Sequence, residues 1–355
     1  FPMHELKNKI SVAILGATGI VGQRFVQLLA DHPWFEITCL AGSERSRGKK
    51  YDEAVTWLLP EAIPDEISEM TIQALKPDLP AKLVFSALPT MAALELEPIF
   101  AAEGYVVCSN AAAFRQAKDV PLLIPEINPN HLALIENQQK QRSWQGFIVT
   151  SPNCSTTGIA LPLKPIEQIF GIESVFATTL QAISGAGYPG ISAIDVSNNV
   201  IPYIKGEEEK IEKETKILLG QTNQAGKSPH PVVVSAQCNR VNVLDGHTAN
   251  ISTKFGKKPK LKEIYQTFDE FNSIAENNRL PSSPEQILIV DQQEGRPQPR
   301  RDLNRGNGMS VSVGQIRPCP IFDFKFTSLV HNTIRGAAGG AILNAELLVD
   351  QGFVS

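Results

Sequence analysis

The sequence predicts an α/β protein with two domains: a Rossmann-like domain built on a doubly wound parallel sheet, and a second, α+β domain. Two observations support this fold class. The chain of 355 residues is too long for one ordinary hydrophobic core and fits about two domains. Short apolar strands alternate with helical segments up to residue 150, whereas longer extended runs follow from Phe147 onward.

The first predicted unit is a strand, a glycine-rich turn and a helix. The strand covers residues 10–15 and the turn covers residues 16–22. The helix that follows has apolar side chains that include Phe25, Val26 and Leu29. Three more strands are predicted at residues 36–41, 82–87 and 105–109. A helix is predicted at residues 91–100, between the last two of these strands. This alternation is typical of a parallel sheet with helices on both faces.

The second domain is predicted to cover residues 151–330, so that residues 1–150 and 331–355 form the first. Extended runs at 174–181 and 240–243, with helices between them, indicate the α+β character of the second domain. The segment from 331 to 343 is rich in glycine and alanine. We expect it to form a C-terminal helix that packs very close to a neighbour and returns to the first domain.

The turn after the first strand has the pattern GxxGxxG. Gly16 would permit the tight turn, Gly19 the approach of a pyrophosphate to the backbone, and Gly22 the close packing of the helix. A helix N-terminus also attracts the negative charge of a phosphate. A packed turn without a ligand needs glycines too, but the strand–turn–helix context favours dinucleotide binding.

The residues after the second predicted strand bear on the choice between NAD and NADP. An NAD-binding protein usually places an acidic residue there for the ribose 2′-hydroxyl. Ser43, Arg45 and Ser46 instead suit a 2′-phosphate, as does Arg47. Glu44 argues in the opposite direction unless it is a solvent-facing loop residue. The sequence therefore predicts NADP.

Composition argues against several classes of protein. A net charge of −4 provides no general attraction to nucleic acid or anionic membranes. Hydrophobic residues make up 42% and charged residues 20%, which is typical of a globular protein. The sequence has no apolar run of membrane-spanning length and no basic segment leading into an apolar signal core. We expect a cytoplasmic protein without a nucleic-acid or membrane partner.

The five cysteines are scattered, odd in number and never in a CxxC pair. This spacing argues against a disulfide framework and against a metal site, and it indicates a reducing compartment. They are Cys39, Cys108, Cys154, Cys238 and Cys319.

Cys154 is the candidate nucleophile. It lies where the extended run from Phe147 turns into an apolar helical run, and Pro152 and Asn153 favour that turn. The N–H groups of a helix start would lower the pKa of the thiol. The alternative is a small buried filler. A nucleotide domain followed by such a thiol indicates thioester redox chemistry, in which the cysteine attacks an acyl group and a hydride reduces the thioester.

That chemistry needs a proton shuttle, and His247 is the preferred histidine. It lies at a predicted turn bounded by extended segments, and the ordinary pKa of histidine suits proton transfer near neutrality. His331, beside Asn332, is a less favoured competitor. Nothing in the spacing shows that His247 and Cys154 meet.

Four motifs together resemble the aspartate-semialdehyde dehydrogenases, in the branch shared by fungi and archaea. They are GATGIVG (16–22), SPNCST (151–156), QAISGAG (181–187) and DGHT (245–248). The resemblance spans nearly the whole chain. It implies NADPH-dependent conversion of L-4-aspartyl phosphate to L-aspartate-4-semialdehyde and phosphate through a cysteine thioester, in the biosynthesis of lysine, threonine and methionine. It also implies a homodimer or homotetramer, with residues 151–330 as the catalytic and dimerisation domain.

The resemblance also implies roles for particular residues. Cys154 is the nucleophile, His247 the acid/base, and Gln181 orients the acyl group. The groups that bind the substrate are Asn110, Arg115 and Lys210 for the phosphate, Glu207 for the α-amino group and Arg240 for the α-carboxylate. The expected cofactor contacts are Gly16, Thr18, Gly19, Ile20, Val21, Ser43, Arg45, Ser46, Ser86, Ser184, Gly185 and Asn332.

Several of these residues have simpler interpretations. Glu207 and Lys210 would then belong to an exposed helix start, and Glu208 is the rival for the ammonium group. Arg240 would cap a strand edge, and Arg115 would pair with Asp119 on the surface.

Three rival functions share the architecture: N-acetyl-γ-glutamyl-phosphate reductase, malonyl-CoA reductase and a non-catalytic NADP-binding regulator. The residues flanking Cys154 favour the semialdehyde enzymes.

Overall fold

The computed structural model describes residues 8–223, 226–277 and 280–354, with the side chains of residues 273–277 excepted. Residues 1–7 and 355 of the expected first domain lie outside the described residues. The strands are β1 (Ile10–Leu15), β2 (Phe35–Gly42), β3 (Gln73–Ala74), β4 (Leu83–Ser86), β5 (Val106–Ser109), β6 (Phe147–Thr150), β7 (Ile172–Gln181), β8 (Val200–Pro202), β9 (Gln221–Asn223), β10 (Gly226–Ser228), β11 (Val233–Val241), β12 (His247–Phe255), β13 (Leu288–Asp291), β14 (Val311–Pro318) and β15 (Phe324–Val330). The α-helices are α1 (Ile20–Leu29), α2 (Tyr51–Ala54), α3 (Asp65–Ser68), α4 (Thr90–Ala102), α5 (Leu134–Arg142), α6 (Cys154–Phe170), α7 (Ala193–Val196), α8 (Glu207–Leu219), α9 (Leu261–Asn277), α10 (Pro299–Asp302) and α11 (Gly339–Asp350).

The first sheet is parallel throughout, in the order β3-β2-β1-β4-β5-β6. Helices cover both faces of this sheet, so the side chains that point to either face are buried. The strands are therefore nearly continuous apolar runs. β1, β2, β4 and β5 and helix α4 lie where the sequence predicts them. The Rossmann-like fold class is confirmed, since this strand order is the doubly wound one.

The second sheet is mixed, in the order β13-β14-β15-β12-β7-β11-β8. α6 packs on its buried face, in one core with β7, β11 and β12. The prediction of an extended run at 240–243 was misplaced, since β11 runs from Val233 to Val241. Its alternate residues Ser235 and Gln237 are exposed on the opposite face, so no continuous apolar run marks the strand.

The C-terminal segment packs in the core that covers one face of the first sheet. A π-helical turn, Ile334–Ala338, leads into α11, whose apolar residues share a core with α1 and β1. Glu346 of α11 is buried, and its Oε1 lies 2.8 Å from Nε2 of His32, just after α1. None of the described helices is long and apolar enough to cross a membrane.

Candidate active site

Cys154 is the first residue of α6, at the predicted junction of strand and helix. Asn153 caps this helix: its Oδ1 accepts hydrogen bonds from the backbone N–H groups of Ser155 (2.9 Å) and Thr156 (3.2 Å). Two glycines allow close packing around the helix start. A Cβ on Gly158 would lie 2.7 Å from Val330 Cγ1, and one on Gly336 would lie 2.8 Å from Cys154 Cβ.

The thiol is not activated by its helix start alone. Burial raises the pKa of Cys154 to about 12, with a further upward contribution from the negative charge of Glu207. Arg115, the Ser155 N–H and Arg240 act in the opposite direction but do not prevail. The expectation of a lowered thiol pKa is therefore wrong for this arrangement, because the loss of hydration outweighs the helix N–H groups.

Glu207, and not Glu208, belongs to the surroundings of the cysteine. Glu207 is buried, and its Oε1 accepts a hydrogen bond from Asn153 Nδ2 (2.6 Å). Its Oε2 accepts from Lys210 Nζ (3.2 Å). Glu208 turns away and accepts from the backbone N–H of Cys238 (3.0 Å). The alternative of an exposed helix start therefore does not hold for Glu207.

Arg115 is buried in the same region. Its Nη1 donates to Glu214 Oε1 (3.2 Å) and its Nη2 donates to the carbonyl oxygen of Asn110 (2.7 Å). The alternative pairing with Asp119 is wrong, since Asp119 pairs with Arg142. Arg115 Nε and Asn110 Nδ2 are buried donors without a partner among the described residues. Both groups can therefore bind an anion.

Arg240 lies within the second sheet, where β11 stands between β7 and β8, so it does not cap a sheet edge. It is directly opposite Gln181 of β7, and its Nη1 donates to the carbonyl oxygen of Ala182 (2.6 Å). Arg240 Nε is buried without a partner in the described part of the chain. Gln181 is buried beside it and donates to Thr179 Oγ1 (3.2 Å).

The sequence indicated a turn at His247, but His247 is the first residue of strand β12. Its Nδ1 accepts a hydrogen bond from the Ala182 N–H (3.0 Å), so the neutral ring carries its proton on Nε2. Burial lowers the pKa of His247 to about 3, and the nearby charges of Arg240 and His331 act in the same direction. Nε2 has no partner among the described residues, which leaves its N–H available as a donor.

Three expected cofactor residues surround this histidine. A Cβ on Gly185 would lie 3.0 Å from His247 Nε2 and 2.8 Å from Arg240 Nη1. Asn332 Oδ1 accepts from the Gly246 N–H (2.8 Å), and its Nδ2 donates to Ser184 Oγ (2.8 Å). Asn332 therefore ties the C-terminal segment to the residue that precedes His247.

The glycine turn has the geometry of a phosphate-binding loop. Gly16 has φ +79°, and a Cβ there would lie 2.9 Å from the Ala87 carbonyl oxygen. A Cβ on Gly22 would lie 2.3 Å from the Gly16 oxygen, whereas one on Gly19 meets nothing nearer than 3.6 Å. Gly19 precedes α1 without a side-chain cap, so the helix N-terminus stays open to a ligand. The other expected contacts on this turn, all partly exposed, are Thr18, Ile20 and Val21.

The loop after β2 presents Ser43 and Arg45 to solvent, while Ser46 is buried and donates from Oγ to the Ser43 carbonyl oxygen (3.0 Å). Glu44 is exposed and pairs with Arg47 (3.5 Å), which leaves Arg45 available for a 2′-phosphate. Ser86, the last residue of β4, is opposite Leu15, directly before the glycine turn.

Ser86 also connects the predicted cofactor-binding residues with the predicted substrate-binding residues. Its carbonyl oxygen accepts a hydrogen bond from the Asn110 N–H (3.0 Å). Glu214, which bridges Arg115 and Asn153, is absent from the residues that the sequence predicts for the site. Glu214 follows Glu207 by seven residues, about two helical turns, so helical spacing could have placed both on one face of α8.

Of the described residues, no three His, Cys, Asp or Glu side chains are placed to hold a metal ion. A cavity of about 560 Å³ between α1 and α11 is lined by none of the site residues.

A dinucleotide fold joined to a cysteine-centred catalytic site defines a two-domain nicotinamide-dependent dehydrogenase. The family model "Semialdehyde dehydrogenase, NAD binding domain" matches residues 11–135, and "Semialdehyde dehydrogenase, dimerisation domain" matches residues 163–335. The chain belongs to the aspartate-semialdehyde dehydrogenase family.

Two relatives and one solved structure illustrate the membership. An aspartate-semialdehyde dehydrogenase from Archaeoglobus fulgidus is 48% identical over 97% of this chain and 99% of its own length. The crystal structure of the Candida albicans enzyme with NADP is 44% identical, with a TM-score of 0.90, and the match covers 97% of this chain and all of that one. A malonyl CoA reductase (NADP) from Metallosphaera sedula is 39% identical over 98% of this chain and 99% of its own length.

Proposed function

We propose that the protein catalyses the NADPH-dependent reductive dephosphorylation of L-4-aspartyl phosphate to L-aspartate-4-semialdehyde and phosphate. The observation that carries this proposal is the set of charges around Cys154. Arg115 and Arg240 provide two positive charges, and Glu207 provides a negative one. A small acyl phosphate with an α-carboxylate and an α-ammonium group requires this combination of charges.

The substrate groups are assigned by this pattern. The phosphate is bound by Asn110 and Arg115, with their unpartnered donors, and by Lys210. The unpartnered Nε of Arg240 binds the α-carboxylate, and Glu207 binds the α-ammonium group. Gln181, buried opposite Arg240, orients the acyl group.

The chain's residues also fit NADP. The open helix N-terminus at Gly19 suits the pyrophosphate, and the exposed Arg45 with Ser43 and Ser46 suits the 2′-phosphate. Asn332, with Ser184 and Gly185, lies beside His247, where the nicotinamide end is needed. When bound, NADPH supplies the hydride.

The reaction uses Cys154 and His247 in turn. The sulfur of Cys154 attacks the acyl carbon, the bond to the phosphate oxygen breaks, and the thiol proton leaves with the phosphate. This step forms a thioester on Cys154. The Nε2–H of His247 donates to the acyl oxygen and stabilises the negative charge that develops there during attack and during reduction. Reduction of the thioester carbon gives a tetrahedral species whose C–S bond then breaks, which releases the aldehyde and leaves the Cys154 sulfur as a thiolate. A proton taken up from water restores the thiol.

We infer further that residues 1–150 with 331–355 form the cofactor domain, and that residues 151–330 form the catalytic and dimerisation domain. The protein works as a homodimer or a homotetramer. It acts in the cytoplasm, in the biosynthesis of lysine, threonine and methionine. Sedimentation equilibrium at assay concentration tests the assembly, and a mass of one chain would contradict it.

The function is tested by NADPH formation in the reverse direction. Purified protein with L-aspartate-4-semialdehyde, NADP⁺ and phosphate should produce NADPH only when phosphate is present. Cys154→Ala should abolish this activity and leave NADPH binding nearly unchanged. N-acetylglutamate semialdehyde as substrate, and malonyl-CoA with NADPH, should give rates at least about a hundredfold lower, since neither presents the same charges. A higher rate with malonyl-CoA would assign the chain to the function of the Metallosphaera relative.

A further inference from the structure

Glu214 of α8 joins the two halves of the site. Its side chain is 1% exposed. One carboxylate oxygen, Oε1, accepts from Arg115 Nη1 (3.2 Å), and the other, Oε2, accepts from the backbone N–H of Asn153 (2.6 Å). Arg115 follows β5 of the first sheet, whereas Asn153 immediately precedes Cys154. One carboxylate therefore holds a candidate phosphate-binding side chain and the turn that carries the nucleophile.

The other contacts of Arg115 show what this bridge leaves available. Nη2 is held by the Asn110 carbonyl oxygen, while Nε has no partner among the described residues. Lys227 Nζ donates to the carbonyl oxygen of Arg115 (2.6 Å) and so fixes its backbone. With its main chain and two terminal nitrogens held, the guanidinium has one orientation in which to present Nε to an anion.

We propose that Glu214 is a positioning residue, which sets the Arg115 guanidinium and the Cys154 turn at a fixed separation so that a phosphate bound by Arg115 lies against the nucleophile. The proposal rests on the proposed function for its substrate, but the bridge itself can be tested with inorganic phosphate alone. Both hydrogen bonds involve a charged group and are buried, so losing one leaves a buried donor without an acceptor.

A glutamine at this position separates the two contacts. Its amide oxygen can still accept from the Asn153 N–H, but its NH₂ group would then face the Arg115 guanidinium, donor against donor. Glu209 is the matched control. It lies on the same helix and carries the same charge, but its side chain is exposed.

The experiment measures alkylation of Cys154 by iodoacetamide as a function of inorganic phosphate concentration, with the Cys154 peptide quantified by mass spectrometry to exclude the other cysteines. Phosphate bound at Arg115 should slow alkylation of the wild-type protein. In Glu214→Gln the phosphate concentration for half-maximal protection should rise by about tenfold or more, the range expected for a charge-assisted hydrogen bond. In Glu209→Gln it should stay within about twofold of wild type.

The remaining outcomes are also decisive. An equal shift in both variants would mean that only helix charge matters, and a lower melting temperature in Glu214→Gln with unchanged phosphate protection would mean a structural role; each overturns the proposal. If Glu214→Gln does not fold, Glu214→Asp retains the charge with a shorter reach and should show a smaller shift in the same direction, so an unshifted Asp variant overturns it too. Absence of NADPH formation by wild-type protein would refute the proposed function, while the alkylation result would still decide the role of Glu214.

Discussion

Gly336 lies so close to Cys154 that a methyl group on its α-carbon would come within 2.8 Å of the cysteine Cβ and 2.9 Å of its Cα. Gly336 belongs to the π-helical turn before α11, which packs in the core of the first domain. The C-terminal segment therefore constrains the position of Cys154 as well as packing against the first sheet.

The first prediction follows from this contact. Gly336→Ala should displace the start of α6 and lower kcat/KM by at least about tenfold, because small displacements of a reacting group are costly. Steady-state assays against Gly256→Ala provide the control, since a Cβ at Gly256 meets nothing nearer than 3.6 Å. Equal activities of the two variants would show that the site tolerates the added methyl group.

The second prediction concerns the ionisation of Cys154. Because the pKa of the thiol is raised to about 12, its alkylation should accelerate about tenfold per pH unit between pH 7 and 9. Glu207→Gln removes a negative neighbour and should shift this profile to lower pH. Rates of iodoacetamide labelling test both statements. Glu208→Gln is the control, and a shift in that variant alone would exchange the two glutamates.

The third prediction concerns His247. His247→Asn should lower kcat by about 10²–10³-fold, the usual cost of losing a donor to a developing oxyanion, with a smaller change in KM. Kinetics of the variant at saturating substrate measure this loss. His331, which is buried nearby, is the comparison. Loss in His331→Asn combined with near-normal rates in His247→Asn would transfer the role to His331.

The fourth prediction concerns cofactor choice. Arg45→Ala should weaken binding of NADPH far more than binding of NADH, because only NADPH carries the 2′-phosphate. Fluorescence titration with both cofactors gives the two dissociation constants. Arg47→Ala should have the smaller effect, since Arg47 pairs with Glu44. Equal weakening of NADPH and NADH would remove this role from Arg45.

The fifth prediction tests substrate identity at Glu207. A charge-assisted contact to the α-ammonium group is worth roughly 1.5–3 kcal/mol, so Glu207→Gln should lower kcat/KM for aspartate semialdehyde about ten- to hundredfold. Activity towards succinic semialdehyde, which lacks the amino group, should start low and hardly change. Parallel losses with both substrates would make Glu207 a structural residue that only supports Asn153.

The sequence by itself determined the fold class, the glycine-rich turn after β1 and the position of Cys154 at a helix start. These are local properties, because the periodicity of apolar residues, glycine spacing and turn chemistry act over a few neighbouring residues. β11 is where this reasoning failed: its polar outward face conceals the strand, and only pairing with β7 and β8 reveals it.

The tertiary structure decided which side chains meet. Arg115 and Glu214 are 99 residues apart, and Ala182 and His247 are 65 apart, so no local pattern could pair them. The choice of Glu207 over Glu208 depends on the rotation of α8 against the start of α6. The raised thiol pKa depends on burial and on surrounding charges, which exist only once the two domains have packed around Cys154.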